Sequence, residues 1–190
     1  NGNQHSRFNV VSAIFPASEN ELWFGSQGNG LFRINVKNGD TIINHYENND
    51  YDRTSIPSNI VNSIISGKTG SVWIGTQDGI SHFDPIKLGF QHYTYKYGDE
   101  NSLNEKNVWS IYEGDDEIMW VGTRKGISRI NLKKNQYNHY LYKTDNLNEP
   151  NNNNVYSITS DTLGRIWAGA AGGLYLLETS ADFSTGEFIK

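Results

Sequence analysis

Short apolar stretches recur along the whole chain, and polar turns rich in Gly and Asn separate them. Short apolar runs bounded by turn residues predict strands, because a helix needs a longer stretch with a period of 3.6 residues. Gly and Asn favour tight turns, since both tolerate backbone conformations that other residues avoid. The pattern therefore predicts many short strands and few helices.

One motif, Trp-x-Gly, occurs four times, and its tryptophans are 50, 47 and 47 residues apart. A sequence period of this length predicts a repeat architecture in which each copy forms one small structural unit. The four copies are centred on Trp23, Trp73, Trp120 and Trp167.

Further positions recur around each Trp. Nine residues upstream of each lies an Ile, and twelve residues upstream lies a Val, at Val11, Val61, Val108 and Val155. A polar turn separates that Ile from the Trp, and a second Gly after the Trp opens a third stretch. An aromatic fourth stretch contains His45, His92 and His139 in the first three copies. Each copy is therefore predicted to form four short strands.

Four strands per copy, with a period of this length, predict an all-β chain: a β-propeller with about four four-stranded antiparallel blades. The chain is expected to be one propeller segment over residues 1–190, with repeats of about 8–54, 55–101, 102–148 and 149–190. The Trp would fill the gap between adjacent blades, and the Gly two positions on would let the next sheet approach. Because the sequence starts within the pattern and without Met, we expect a piece of a larger propeller.

The composition narrows the classes of function. The formal net charge is −5, so there is no basic stripe for nucleic-acid phosphates or an anionic membrane. No run approaches the roughly 18 apolar residues that a membrane-spanning helix needs. The chain has no Cys, which excludes disulfides and thiolate zinc sites. We expect no nucleic-acid partner.

The pattern Val-x-Ser-Ile, polar turn, Trp-Ile-Gly-Thr, Gly-Ile resembles the two-component regulator propeller repeat, most closely in the copies of Trp73 and Trp120. The resemblance covers nearly the whole chain. It implies the periplasmic sensor region of a hybrid two-component regulator of the Bacteroides type, which recognises carbohydrate or glycan fragments. It also implies a membrane-anchored parent protein with a histidine kinase outside this segment.

The residues do not predict a catalytic or metal site, and no cofactor is expected. His45, His92 and His139 occupy equivalent positions of different copies, which lie too far apart to share one ion, so we expect them to pack on outer strands. The best acidic cluster, Glu113 to Glu117, falls in the turn before Trp120 and is expected to be solvated.

Two sets of positions vary between copies, and such positions suit recognition because the fold does not fix them. The first set, at the start of the innermost strand, is Ser12, Asn62, Trp109 and Tyr156, with Asn59, Asn107 and Asn154 near it. The second, in the turn after the Trp strand, is Gln27-Gly28-Asn29, Gln77-Asp78, Arg124-Lys125 and Ala171-Gly172. In a propeller the two sets meet on one face.

An aromatic ring beside amides and a guanidinium suits a sugar, because the ring covers the apolar face of a pyranose and the polar groups bond its hydroxyls. The predicted ligand-binding residues are Trp109, Arg124, Lys125, Tyr156, Gln77, Asp78 and Asn62. The alternative for Trp109 and Tyr156 is packing inside the ring of blades.

Three functions follow. The first is a ligand-sensing propeller that binds an oligosaccharide and signals to a kinase. The second is a non-catalytic interaction propeller that forms a homodimer, because four blades from one chain can leave two apolar sheet faces open. The third is a propeller lyase or glycosidase, which the scarcity of clustered acids disfavours.

Overall fold

The structure is a computed structural model that describes residues 10–67, 70–86, 89–142 and 153–190. Within these residues it contains sixteen strands, no helix and four four-stranded antiparallel sheets. In every sheet the strands lie side by side in chain order. None of the described residues forms a helix that could span a bilayer. The predicted all-β class with four strands per copy is confirmed.

The first two sheets follow the copies of Trp23 and Trp73. The first contains β1 (Val11–Ser18), β2 (Glu21–Ser26), β3 (Leu31–Lys37) and β4 (Asp40–Tyr46). The second contains β5 (Val61–Ser66), β6 (Val72–Thr76), β7 (Gly79–Asp84) and β8 (Gly89–Tyr93).

The other two sheets follow the copies of Trp120 and Trp167. The third contains β9 (Val108–Glu113), β10 (Ile118–Thr123), β11 (Gly126–Asn131) and β12 (Gln136–Tyr140). The fourth contains β13 (Val155–Ser160), β14 (Ile166–Ala170), β15 (Gly173–Thr179) and β16 (Gly186–Ile189). Each of the four sheets lies within one of the repeats that the sequence predicts.

The chain divides into two compact units, residues 1–77 with 81–92 and residues 78–80 with 93–190. The first unit has a core to which the first two sheets contribute, formed by Trp23, Leu31, Ile56, Val61, Ile64, Val72, Ile74 and Phe83. The second has a core to which the last two sheets contribute, formed by Trp120, Ile127, Tyr140, Val155, Ile158, Ile166, Ala168, Tyr175, Leu177 and Phe188. In both units, apolar residues of neighbouring copies pack together.

The repeated Trp is a packing residue between neighbouring sheets. Trp23 is fully buried, and its ring lies 5.0 Å from the ring of Phe83 in the second sheet. Trp120 is 5% exposed, and its ring lies 6.5 Å from that of Phe183 in the loop between β15 and β16. Since these two tryptophans each contact a residue of the next copy, the motif packs neighbouring sheets together, as the sequence predicts.

The first strand of each sheet contains a β-bulge. In β9, Val108 pairs with Thr123 and Ser110 pairs with Gly122, so the intervening residue has no partner in the ladder. The same irregularity occurs in β1, β5 and β13. The extra residue explains why the repeated Val and Ile are three positions apart and yet enter the same core, as Val61 and Ile64 do. A regular strand would direct them to opposite faces.

The periodic histidines lie on the fourth strands. His45 stacks on Phe32 with a ring separation of 4.1 Å. His92 and His139 each place Nδ1 within hydrogen-bond distance of a serine hydroxyl on the adjacent third strand, at 3.0 and 3.2 Å. These contacts agree with packing on the outer strands. The described residues contain no group of three or more metal-ligating side chains arranged to hold an ion.

Candidate functional site

The residues that vary between copies at the start of the innermost strand are the unpaired residues of the four bulges. They are Ser12, Asn62, Trp109 and Tyr156. A bulge redirects the side chain of its extra residue away from the regular alternation of the strand, and bulges are common beside binding sites. The fold therefore presents one chemically variable side chain per sheet at equivalent positions.

The variable turns lie at the same edge of each sheet as these bulges. In the turn that follows each strand with the repeated Trp, one backbone N–H donates a hydrogen bond. Its acceptor is the carbonyl of the residue immediately before the innermost strand of the same sheet. The four bonds are Gln27 to Val10, Gln77 to Ile60, Arg124 to Asn107 and Ala171 to Asn154, at 3.0 to 3.2 Å. Within each sheet, the structure thus brings the two predicted sets together.

Trp109 and Tyr156 are candidate residues of neighbouring copies whose aromatic rings lie together. Their ring centroids are 5.8 Å apart, and the rings meet edge to face at 66°. Tyr156 is 49% exposed, and Trp109 is half-buried. The hydroxyl of Tyr156 also accepts a hydrogen bond from Asn154 Nδ2 at 3.2 Å. The pair thus combines ring packing with an exposed aromatic surface beside an amide.

The indole nitrogen of Trp109 is a buried donor for which the described residues provide no hydrogen-bond acceptor. More than about nine in ten buried polar groups in folded proteins have a partner, so an unpaired N–H requires an explanation. In the first and fourth copies the indole nitrogen of the repeated Trp donates a hydrogen bond to a carboxylate. Trp23 donates to Glu21 at 2.7 Å, and Trp167 donates to Asp161 at 2.9 Å. The donor of Trp109 marks a position where a water or ligand oxygen would be stabilised.

The basic pair Arg124 and Lys125 lies in the exposed turn between β10 and β11. Its backbone is fixed, because Lys125 N donates to Thr123 Oγ1 at 3.0 Å and Lys125 O accepts from Asn104 Nδ2 at 2.7 Å. The Arg124 guanidinium makes no hydrogen bond or ion pair to any described residue. The turn therefore places a cation, for which the described part of the chain provides no partner, at the sheet edge where Trp109 lies.

Two of the three remaining candidates, Asp78 and Asn62, have side-chain partners. Asp78 forms an ion pair with Lys106 at 3.5 Å, and both side chains are exposed, so the pair contributes at most about 1 kcal/mol. Asn62 Oδ1 accepts from Gln27 Nε2 at 3.3 Å, a bond that links the first sheet's turn to the second sheet. Gln77 is half-buried in its turn. Asn62 therefore has a structural hydrogen bond that the sequence does not reveal.

Sequence reasoning missed a pocket at the turn Ala171-Gly172, which has a volume of about 210 Å³. Two tyrosines and an amide contribute to its lining, Tyr142, Tyr175 and Asn153, with Lys190 at its margin. The fourth copy has Ala170 where the second and third have Thr76 and Thr123. This replacement of a threonine by a smaller residue was the feature of the sequence that could have indicated the pocket.

The acidic cluster before Trp120 lies in the turn between β9 and β10. Asp115, Asp116 and Glu117 are exposed, and the last two adopt positive φ angles of 52° and 58°. The cluster lies at the opposite end of β9 from Trp109.

The third copy matches a known family. Residues 102–125 match the family model described as two-component regulator propeller, which confirms the resemblance of the repeat motif. The matched segment includes Trp109 and Arg124. No curated protein gives a significant match to the chain.

Solved structures with the same fold include proteins of several kinds. The chain is similar over 99% of its length to the extracellular domain of a hybrid two-component system from B. thetaiotaomicron, with a TM-score of 0.75 and 24% identity. It spans 25% of the length of that chain. It is also similar to virginiamycin B lyase from Staphylococcus aureus, with a TM-score of 0.61 and 14% identity, over 94% of this chain and 55% of the lyase. These similarities confirm the β-propeller fold.

Proposed function

We propose that the chain is part of the ligand-sensing propeller of a hybrid two-component regulator, located outside the cytoplasm, and that it recognises a carbohydrate or glycan fragment. Two comparisons support the sensor role. The third copy matches the two-component regulator propeller model, and the fold resembles the extracellular domain of such a system. The signal would pass to a histidine kinase elsewhere in a membrane-anchored parent protein.

The observation that carries the carbohydrate proposal is the Trp109–Tyr156 pair on neighbouring bulges. An exposed aromatic face covers the apolar face of a pyranose ring, and amide and guanidinium groups bond sugar hydroxyls. Asn154 and Arg124 supply such groups at the same edges. The unpaired indole N–H of Trp109 would donate to one ligand hydroxyl after a small movement of the ring.

The sensing role does not require catalysis by this chain. The acidic residues of the turn between β9 and β10 lie at the other end of their strands from the proposed site. The fold is shared with a lyase, but a shared fold does not transfer an activity, because function depends on the site. A lyase or glycosidase remains the weaker alternative.

Titration of neutral oligosaccharides against the chain tests the proposal, with calorimetry and Trp fluorescence as readouts. We expect Trp109→Ala to weaken binding by about tenfold or more, because stacking and one hydrogen bond are lost together. The matched control is Tyr97→Ala, which removes an aromatic side chain that is 94% exposed and lies outside the bulges.

Circular dichroism of Trp109→Ala separates lost binding from lost folding. Equal affinity of wild type and folded Trp109→Ala for a bound sugar would place the ligand elsewhere. Absence of any response across the panel would argue against carbohydrate recognition by this chain.

A second candidate is an interaction propeller that pairs through its first sheet. Ile14 is 64% exposed, whereas its equivalents Ile64, Ile111 and Ile158 are 8%, 5% and 9% exposed. The natural cover for this face is another sheet of the same repeat type, from a second copy or from the parent protein. A sedimentation experiment distinguishes self-pairing, because Ile14→Glu would convert a concentration-dependent dimer to a monomer, whereas a strict monomer removes this candidate.

A further inference from the structure

Two sheets place an arginine opposite the repeated tryptophan. Arg33 pairs across the ladder with Trp23, and Arg129 pairs with Trp120. Each guanidinium lies over the indole ring of its partner, at 5.4 and 5.8 Å from the ring centroid. The two arginines therefore occupy equivalent positions in the first and third copies.

The arginine of the first copy, Arg33, forms an ion pair with a carboxylate, whereas Arg129 of the third copy forms none with a described residue. Arg33 forms an ion pair with Glu21 at 2.7 Å, and Glu21 lies two residues before Trp23. The equivalent residue before Trp120 is Ile118. Arg129 is 7% exposed, donates to Asn138 Oδ1 at 3.3 Å and has no acceptor at Nε. None of the carboxylates that the structure describes forms an ion pair with it.

This unpaired cation lines a cleft of about 910 Å³ to which the third and fourth sheets contribute. The ring of Phe183 lies 3.9 Å from the guanidinium carbon. Burial lowers the pKa of Arg129, although an arginine remains charged because its ordinary pKa exceeds about 12. The cleft therefore contains a desolvated positive charge between aromatic rings.

Other charges surround the opening of the cleft. Lys133, Lys134 and Arg165 contribute positive charge, whereas Asp115, Asp116, Glu117 and Glu178 contribute negative charge. Arg165 is already paired with Asp161 at 2.6 Å. The acids of the turn between β9 and β10 are exposed, so water screens them more strongly than it screens Arg129. Arg129 is therefore more deeply buried than the acidic residues that line the cleft.

We propose that Arg129 is the anchor of a second ligand site, which binds the carboxylate of a small organic anion. A guanidinium offers a planar fork of donors that matches a carboxylate, and a buried charge without a partner is costly until one arrives. The site occupies the end of β9 that lies away from Trp109. It does not depend on the carbohydrate proposal.

Calorimetric titration of the chain with glucuronate and with glutarate tests the site, with glucose and glutaramide as uncharged counterparts. Glucuronate and glutarate distinguish a sugar acid from a simple dicarboxylate. We expect at least one anion to bind and its uncharged counterpart to bind at least about tenfold more weakly, because a charge-assisted hydrogen-bond pair is lost.

Two variants and one control complete the test. Arg129→Gln removes the cation, and Ile118→Glu places an internal carboxylate where the first copy has Glu21. Both should abolish anion binding, and Ile118→Glu should also raise the Tm. Arg33→Gln removes an arginine that is already paired and should leave anion binding unchanged. If neither anion binds the wild type, or if Ile118→Glu binds as the wild type does, the proposal is wrong.

Discussion

The backbone of Gly25 in β2 lies directly against the side chain of Val61, the first residue of β5. A Cβ atom added at Gly25 would overlap Val61 Cγ1 and would lie 2.6 Å from Val61 Cβ. Gly122 has the equivalent relationship to Val155, whose carbonyl oxygen would be 2.8 Å from an added Cβ. In these two copies the Gly of the Trp-x-Gly motif therefore permits the close approach of the next copy's innermost strand, as the sequence predicts.

Replacement of this glycine should be destabilising through steric overlap. We expect Gly25→Ala to lower the free energy of unfolding by about 1–3 kcal/mol, because a packed interior resists an added methyl group. In a double-mutant cycle with Val61→Ala, the combined loss should be smaller than the sum of the single losses, since the shortened valine gives back part of the space. Additive losses in urea unfolding would show that the two residues do not clash.

Because Ile14 of the first sheet is exposed and its equivalent Ile64 is buried, we expect their replacement by Ala to lower the free energy of unfolding by different amounts. Ile64→Ala should cost about 2–4 kcal/mol, because the side chain is 8% exposed and leaves a cavity. Ile14→Ala should cost less than about 1 kcal/mol, since Ile14 is 64% exposed. Urea unfolding of the two variants measures the difference. A large loss for Ile14→Ala would mean that another chain covers this face in solution.

The ion pair of the first copy predicts a further asymmetry. Burial acts to raise the pKa of Glu21, but hydrogen bonds from Arg33 and Trp23 outweigh it and leave the pKa lowered. Glu21→Gln should therefore destabilise the chain by about 1–3 kcal/mol, because it leaves the partly buried Arg33 without its counter-charge. Glu19→Gln, at an exposed turn position, is the control and should have little effect in the same thermal melts. Equal Tm values for the two variants would contradict the expectation.

Two half-buried histidines predict a loss of stability in mild acid. Burial lowers the pKa of His92 and of His139 below the ordinary value of 6.5. The unfolded chain therefore binds protons more readily than the folded chain, and stability falls as the pH drops below about 6.5. The free energy of unfolding, measured by urea denaturation from about pH 7.5 to about pH 5, should decrease.

The double variant His92→Gln with His139→Gln provides the control for this effect. In this variant the free energy of unfolding should depend less on pH between about pH 5 and about pH 7.5. Its decrease at lower pH should remain. The lowered pKa values of Asp161 and Asp182, for which hydrogen bonds from Trp167 and from Ser180 are the largest causes, belong to that more acidic range. An unchanged slope between about pH 5 and about pH 7 in the double variant would rule out the histidines as the source.

The sequence allowed the general position of the candidate site to be predicted but not its contacts. The variable residues Trp109 and Tyr156 are visible because they interrupt a repeat. Their edge-to-face contact is not visible, since it depends on how the first strands of two sheets lie side by side. The hydrogen bond between Gln27 and Asn62 also joins different copies, so a pattern within one copy could not reveal it.

The bulges are an intermediate case. The repeated spacing of three between Val61 and Ile64 conflicts with the period of two of a regular strand, and this conflict was a signal in the sequence. Only the pairing of Val61 with Thr76 and of Ser63 with Gly75 shows that one extra residue resolves it. The bulge then explains why Asn62 and its equivalents vary, because they are the residues that the ladder does not use.

The sequence by itself determined the all-β class, the four strands of each copy and the packing role of Trp and Gly, because these depend on local pattern and on its repetition. Tertiary structure alone decided which charges find partners. Arg33 and Arg129 occupy equivalent positions, yet among the carboxylates that the structure describes one pairs with Arg33 and none with Arg129. The ring of Phe183, far along the chain, lies against Arg129 instead. Burial and electrostatic pairing depend on the distances between separate strands, and the order of residues along one strand does not specify those distances.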